Sequence, residues 1–291
     1  MPLLALQQLC CPLDGAAMQR DQHQWRCPAG HSFDIARQGY INLLPVQHKK
    51  SRDPGDSKEM VAARKHFLDS GHYAPIAAAI NALLNDNTDD QHTLQVLDAG
   101  CGDGYYLQAL SQSLDRDKRQ LVATGLDISK WALRSCLQRN RQLNGIVASN
   151  RQVPLPDASV DILLCAFGFP VYAEFARLLR PGGLYLQVDS GPDHLLEMRQ
   201  QLYREVRRSD APSLDAGQQH IGPVIAERRL QTHTADLNAE ELTQLLQMTP
   251  HYYRASADAR QQLLAQAPMA LSLDVRLRLL QRAAVSPAGG E

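Results

Sequence analysis

Three glycines and a pair of carboxylates carry the first chemical signal of this chain. In Val96-Leu97-Asp98-Ala99-Gly100-Cys101-Gly102-Asp103-Gly104-Tyr105 an apolar run enters Gly-x-Gly-x-Gly and then a helical pattern. Glycines let the backbone turn sharply and come close to a ligand. The helix N-terminus behind them offers N–H groups to an anion such as a carboxylate. A dinucleotide loop wants G-x-G-x-x-G, and here the third glycine arrives one residue early. Asp127 closes the next strand pattern, 23 residues past Gly104. That is close to the spacing at which a carboxylate accepts hydrogen bonds from a ribose diol. Ser129 is able to cap the following helix, which leaves Asp127 for the ribose. Ser149-Asn150 follows a third strand, where the Asn150 side-chain oxygen can accept from an adenine amine or simply shape a turn.

A second constellation lies near the N-terminus. Cys11-x2-Asp14 and Cys27-x3-His31 are separated by 12 residues. Two such knuckles offer four ligands to a tetrahedral Zn(2+). Thiolate is commoner than carboxylate at the Asp14 position, and Cys10 is an alternative fourth ligand. A metal-free module held by Trp25 and Phe33 is the competing reading. The run His48-Lys49-Lys50-Ser51-Arg52 follows, with three fixed positive charges on Lys49, Lys50 and Arg52. It suits RNA phosphate or a plain solvated surface.

These residues need elements to position them. Residues 1–45 read as a small module of short strands, 46–75 as a basic loop and linking helix, 76–285 as the main domain, and 286–291 as a disordered tail. Strand patterns at 94–98, 121–127, 145–149, 160–167 and 183–189 alternate with helices near 104–114, 129–140, 171–180 and 193–208. Several strands are apolar on both faces, as a helix-covered parallel sheet requires. The fold class is therefore α/β and doubly wound, with its ligand at the C-terminal strand ends. Residues 209–232 read as irregular, and 238–285 as helix, turn and helix.

Composition narrows the classes. The 291 residues are 44% hydrophobic and 21% charged, with a net charge of −1. No global basic field announces nucleic acid. Apolar runs fall short of a membrane helix, and the N-terminus lacks the basic start of a signal peptide. Six cysteines in this length are not a disulfide framework, so a reducing, cytoplasmic setting is expected.

The string V-L-D-x-G-C-G-x-G resembles the first motif of class I S-adenosylmethionine (SAM) methyltransferases. Leu155-Pro156-Asp157-Ala158-Ser159-Val160-Asp161 and Leu178-Leu179-Arg180-Pro181-Gly182-Gly183 resemble later motifs of that Rossmann-like fold. On this reading Asp98, Gly100, Gly102, Asp103, Gly104, Asp127 and Asn150 bind SAM. The zinc-ribbon-like module adds further blocks: Cys27-x3-His31-Ser32-Phe33-Asp34, Gln38-Gly39-Tyr40 through His48-Lys49, and Ser51-Arg52-Asp53-Pro54-Gly55-Asp56-Ser57. Phe67-Leu68-Asp69-Ser70-Gly71-His72-Tyr73, Ser190-Gly191-Pro192-Asp193-His194-Leu195 and Leu245-Leu246-Gln247-Met248-Thr249-Pro250 continue the pattern. Together they resemble the RlmA family, guanine-N1 methyltransferases of 23S rRNA, in its Gram-negative-type branch. The resemblance implies SAM contacts through Tyr73, Gly102, Asp103 and His194. It also implies a zinc-binding module, a homodimer with an RNA-binding cleft, and a target guanine in a hairpin loop. Asp14 departs from the family pattern, which has Cys there.

Guanine N1 carries a proton at neutral pH that must leave before or during attack. Asp103, Asp189 and His194 are the candidate acceptors, with Asp53 or Asp56 if the basic loop folds over the site. An unpaired base needs a stacking partner, for which Tyr73, Tyr105 and Tyr106 are candidates. A SAM methyltransferase of a small molecule, or a non-catalytic RNA-binding protein on the same fold, are the alternative functions.

Overall fold

The structure, a computed structural model, describes residues 3–48, 51, 53–88, 93–115, 120–208 and 210–284. Lys49, Lys50 and Arg52 lie outside the described residues, as does the tail expected at 286–291.

Four short strands open the chain: β1 (Leu9–Cys10), β2 (Ala17–Arg20), β3 (Gln24–Arg26) and β4 (Ser32–Asp34). They pair antiparallel in sequence order. β5 (Tyr40–Asn42) leaves this sheet. Helices α1 (Lys58–Asp69) and α2 (Ala74–Asn85) follow. Then come β6 (Leu94–Ala99), α3 (Tyr105–Asp115), β7 (Leu121–Asp127), α4 (Lys130–Arg139), β8 (Asn144–Val147), β9 (Val160–Ala166), α5 (Tyr172–Leu178) and β10 (Leu179–Ser190). The last third holds α6 (Leu196–Leu202), α7 (Asp215–His220), β11 (Val224–His233), α8 (Ala239–Gln247), α9 (His251–Arg254), α10 (Ala257–Leu264) and β12 (Ser272–Gln281).

Local signals explain the starts. Ser57 caps α1 by accepting from the Met60 amide at 3.3 Å. Ser129 caps α4, accepting from Trp131 and Ala132. Asn238 and Glu241 form a reciprocal capping box on α8, which satisfies two orphan N–H groups at once. Six of the seven β9 residues are buried, because helices cover the sheet on both sides.

The large sheet runs β11-β12-β10-β9-β6-β7-β8-β5. Every neighbouring pair from β10 to β5 is parallel, and β12 enters antiparallel between β10 and β11. The class I methyltransferase expectation for the core is met. Two expectations are not. Residues 272–281 form a buried strand rather than helix, and 224–233 form the edge strand rather than irregular chain. The first 45 residues also pack on the large sheet. β5 extends the large sheet by pairing with β8, and the Leu4 amide donates to the Leu121 carbonyl. Leu9, Met18 and Trp25 share one apolar cluster with Ile146, Val153 and Leu155.

Candidate cofactor site and metal centre

β6 has β7 on one side and β9 on the other, so the chain turns opposite ways from it and a crevice opens at its C-terminal end. The glycine loop fills that position. The Gly100 and Cys101 amides donate to the Leu126 carbonyl at 2.7 and 3.0 Å. Gly104 has φ +79, and a Cβ there would sit 2.5 Å from Cys136 Sγ. A side chain at 104 would thus push α4 away. Gly100 has φ +93 with nothing within 4 Å of its Cβ position, so this side of the loop is open.

Asp127 is more committed than its spacing suggests. Its Oδ2 accepts from the Gly102 amide at 3.0 Å and its Oδ1 from the Ser129 amide at 2.8 Å. Ser129 does cap α4, but it does not leave Asp127 free. The carboxylate braces the glycine loop against β7. Each oxygen keeps a second lone pair for a further donor. Burial pushes its pKa up while those two amides pull it down.

Buried polar atoms without partners among the described residues cluster beside this loop. They include Arg64 Nε, Asp98 Oδ1, Tyr106 Oη and His194 Nδ1. Arg64, from α1, reaches the loop: a Cβ on Gly102 would meet its Cδ at 3.4 Å. Its guanidinium pairs with Asp56 Oδ2 at 2.6 Å and reaches the Met248 carbonyl. Asp98 is 1% exposed. Burial first, and then the Asp127 and Asp103 carboxylates, push its carboxyl up to about 8. Orphaned buried polar atoms are costly, and here a cation and an acid flank the glycine loop. That donor set fits the carboxylate and ammonium at the amino-acid end of SAM. The sequence reading missed Arg64, because nothing in α1's spacing says that it crosses to Gly102.

His194 and Tyr73 come together, although 121 residues separate them. Tyr73 Oη lies 3.3 Å from His194 Nε2. The His194 ring stacks on Phe167, with centroids 5.8 Å apart. Burial drives His194 down to about 4, so it is neutral at pH 7. Burial drives the Tyr73 hydroxyl upward, so it keeps its proton. The contact holds the ring in place, and Nδ1 has no partner among the described residues.

The other candidate acceptors are already paired. Asp103 is 1% exposed and forms an ion pair with Arg139. Asp189 takes Arg278 and the Gln187 amide. The 53–57 segment does fold over the loop's flank, where Ser129 Oγ donates to the Asp56 carbonyl at 2.7 Å. Its acids are spent on Arg64 and Lys130. The three tyrosines are each engaged by neighbours. Tyr73 is 3% exposed, Arg139 covers Tyr105, and Tyr106 packs on Tyr105 and Phe167.

Asn150 donates from Nδ2 to the Phe169 carbonyl at 3.1 Å, which leaves Oδ1 as its acceptor. A second missed residue is Asp274 on β12. It accepts from the Asp193 amide at 3.1 Å and from Arg229 twice at 2.8 Å. The Leu195 amide donates to the Ser272 carbonyl. β12 therefore holds the loop that carries His194, and a helix at 272–281 would not do so.

Both knuckles form. The Gly15 amide closes back on the Cys11 carbonyl, and Gly30 on Cys27. The ligand atoms of Cys11, Asp14, Cys27 and His31 all lie within 4.8 Å of one another. Their close pairs are 3.0 Å (Asp14–His31), 3.3 Å (Cys27–Asp14 and Cys27–His31) and 3.5 Å (Cys11–His31). Zinc–ligand bonds of about 2.0–2.3 Å make tetrahedron edges of roughly 3.3–3.8 Å. The cluster thus fits zinc, with Asp14 as fourth ligand in place of Cys10. The Ala16 amide, ahead of the two thiols and His31, holds the Asp14 carboxyl down at about 2.

A family model described as RlmA, N-terminal matches residues 9–52, and a methyltransferase-domain model matches 96–183. A Micromonospora griseorubida protein assigned as a 23S rRNA (guanine-N(1)-)-methyltransferase is 34% identical, over 94% of this chain and 96% of its own length. The chain belongs to the RlmA family of 23S rRNA (guanine-N1)-methyltransferases. Other members are similar to it. The 23S rRNA (guanine(748)-N(1))-methyltransferase of Streptomyces fradiae is 31% identical over 89% of this chain and 91% of its own. YxjB of Bacillus subtilis, assigned as a 23S rRNA (guanine-N(1)-)-methyltransferase, is 30% identical over 79% of this chain and 80% of its own. The RlmA assignment joins the two halves described above, a metal-ligating N-terminal module and a SAM-type core. Among the described residues no helix is long and apolar enough to cross a membrane.

Proposed function

We propose that this chain transfers a methyl group from SAM to N1 of a guanine in a hairpin loop of 23S rRNA. The observation that carries the reading is a likeness over 94% of the chain to a relative assigned that activity. A knuckle cluster and a glycine loop on one chain support it, since a small substrate needs no metal-ligating module.

SAM, when bound, supplies a methyl already activated by its sulfonium. The chain's own residues then align. Arg64 takes the carboxylate end and Asp98 Oδ1 the ammonium. The spare lone pairs of Asp127 take the ribose diol, and Asn150 Oδ1 takes the adenine amine. Gly100, Gly102 and Gly104 bring the backbone close. Asp103 contributes its place in the loop, with its carboxylate turned to Arg139. Neutral His194, oriented by Tyr73, keeps Nδ1 for a polar group of the ligand. With a pKa near 4 it does not take the N1 proton. Asp103 and Asp189 would each have to give up an arginine to do so. Rate therefore comes mainly from alignment for in-line displacement. Zn(2+) on Cys11, Asp14, Cys27 and His31 would hold the knuckles together. A homodimer, phosphate contacts from Lys49, Lys50 and Arg52, and action in the cytoplasm belong to the same reading.

The test is reverse transcription across the rRNA hairpin in wild-type and deletion strains. N1-methylguanine cannot pair and stops the polymerase. The stop is expected to vanish on deletion, and a stop that persists overturns the proposal. The mass of the purified protein by light scattering tests the dimer.

A further inference from the structure

Phe169 is 87% exposed, the most exposed large apolar side chain among the described residues. We propose that it is the face on which the target guanine stacks, an inference that rests on the rRNA methyl transfer proposed above.

The backbone beneath Phe169 is pinned on three sides. β9 ends at Ala166, and Phe167 turns the chain with a φ of +53. Side chains other than glycine rarely adopt that conformation, and strain of this kind collects at ligand clamps. The Phe167 ring goes inward, stacking on His194 and meeting Tyr106 at 6.3 Å. At Gly168 a Cβ would lie 2.8 Å from Cys165 Sγ and 3.4 Å from the Ala99 carbonyl oxygen. Ala99 is the residue before Gly100, so this turn lies directly against the cofactor loop. On the third side, Asn150 holds the Phe169 carbonyl. The side chain alone is left in solvent.

An aromatic ring held out in water next to a cofactor loop suits a flat, apolar-faced ligand. A guanine fits that description, and the reaction requires it there. N1 lies on the Watson–Crick edge, so the base must leave its neighbours to bring that edge to the strand ends. It then loses its own stacking partners. Phe169 replaces one of them, whereas Tyr73 is buried and Arg139 stands over Tyr105.

The experiment compares wild-type protein with Phe169→Ala, Phe169→Leu and Phe169→Trp. Each is assayed for single-turnover methylation of unmodified 23S rRNA transcript and for SAM affinity by calorimetry. Phe169→Ala is expected to lower the rate about 5- to 150-fold, the range set by base–aromatic stacking. SAM affinity should not move. Phe169→Trp should keep most of the rate, while Phe169→Leu, apolar but not aromatic, should fall with Ala. The proposal is overturned if Ala or Leu matches wild type while the wild type methylates, or if SAM affinity falls in step with the rate. Wild-type protein that leaves the transcript unmethylated overturns the functional reading itself, and this inference with it.

Discussion

Asp127 Oδ2 accepts the Gly102 amide at 3.0 Å, so the strand-end acid and the middle glycine of the loop form one unit. The same carboxylate is asked to set the loop and to receive a ribose. Asp127→Asn would replace one acceptor oxygen by a donor and remove the charge. A hydrogen bond to a charged group contributes about 1.5–3 kcal/mol. Calorimetric titration should therefore find SAM binding weaker by about 10- to 150-fold. Unchanged affinity would show that Asp127 only caps structure.

Asp98 gives a pH signature with a definite sign. Its carboxyl is raised to about 8 in the folded chain, from an unfolded value of about 3.9. An acid raised in this way contributes stability that is complete below the unfolded value. That stability is lost as pH rises through the folded one. The ligand-free protein should lose stability between about pH 4 and pH 8 from this group. SAM binding has the opposite slope on the acid side, because the ammonium needs ionised Asp98 and binding releases a proton. The ligand's own α-amino group titrates at about 7.7–8.0. SAM affinity should thus peak near pH 8. In Asp98→Asn the acid limb should be flat and the binding weak. Titrations from pH 5 to 9 decide, and an unaltered acid limb in the variant would exclude Asp98 as its source.

The same particulars mark how far the sequence could be read. The glycine loop, β7 ending at Asp127, and both knuckles depend on neighbours within a few residues, so spacing revealed them. β12 depends on partners far away. Leu273, Val275, Leu277 and Leu279 alternate with Asp274, Arg276 and Arg278, and every one of those charges lies in a strand paired on both sides. Asp274 is tolerated there because Arg229 meets it from β11, 45 residues away, and Arg278 because Asp189 meets it from β10. No local window contains those partners. Arg64 and Phe169 were invisible for the same reason, since one needs α1 to cross to Gly102 and the other needs β9 to lie beside β6.

Asp274 should then matter both to the fold and to the loop bearing His194. It is 1% exposed, and the Arg229 guanidinium, ahead of the Asp193 amide, holds its carboxyl below the ordinary range. A depressed acid contributes stability above its unfolded pKa and loses it as pH falls through the folded one. Asp274→Asn should cost about 2 kcal/mol in urea unfolding at pH 7. This is less than a fully buried pair, because Arg229 is 37% exposed. The difference from wild type should shrink as pH falls below 4. A pH-independent difference would assign the loss to packing instead of charge.

The metal cluster predicts an ordering among variants. Cys27 touches both Asp14 and His31 at 3.3 Å, so Cys27→Ser removes the ligand at the centre of the set. Purified wild-type protein should carry zinc, and Cys27→Ser should carry little. Asp14→Cys supplies a third thiolate at a position already within reach of the other three ligands. Thiolate is the preferred donor in structural zinc sites, so this variant should give up zinc to a chelator more slowly than wild type. The knuckles also lean on the methyltransferase core, where Gln152 Nε2 donates to the Pro12 carbonyl at 3.2 Å. Stripping the metal should therefore lower the unfolding midpoint of the whole chain, since metal binding is folding free energy. Zinc content by mass spectrometry and melting with and without chelator measure both effects. Wild-type protein that binds no zinc would reduce the cluster to a hydrogen-bonded network of Asp14, Cys27 and His31.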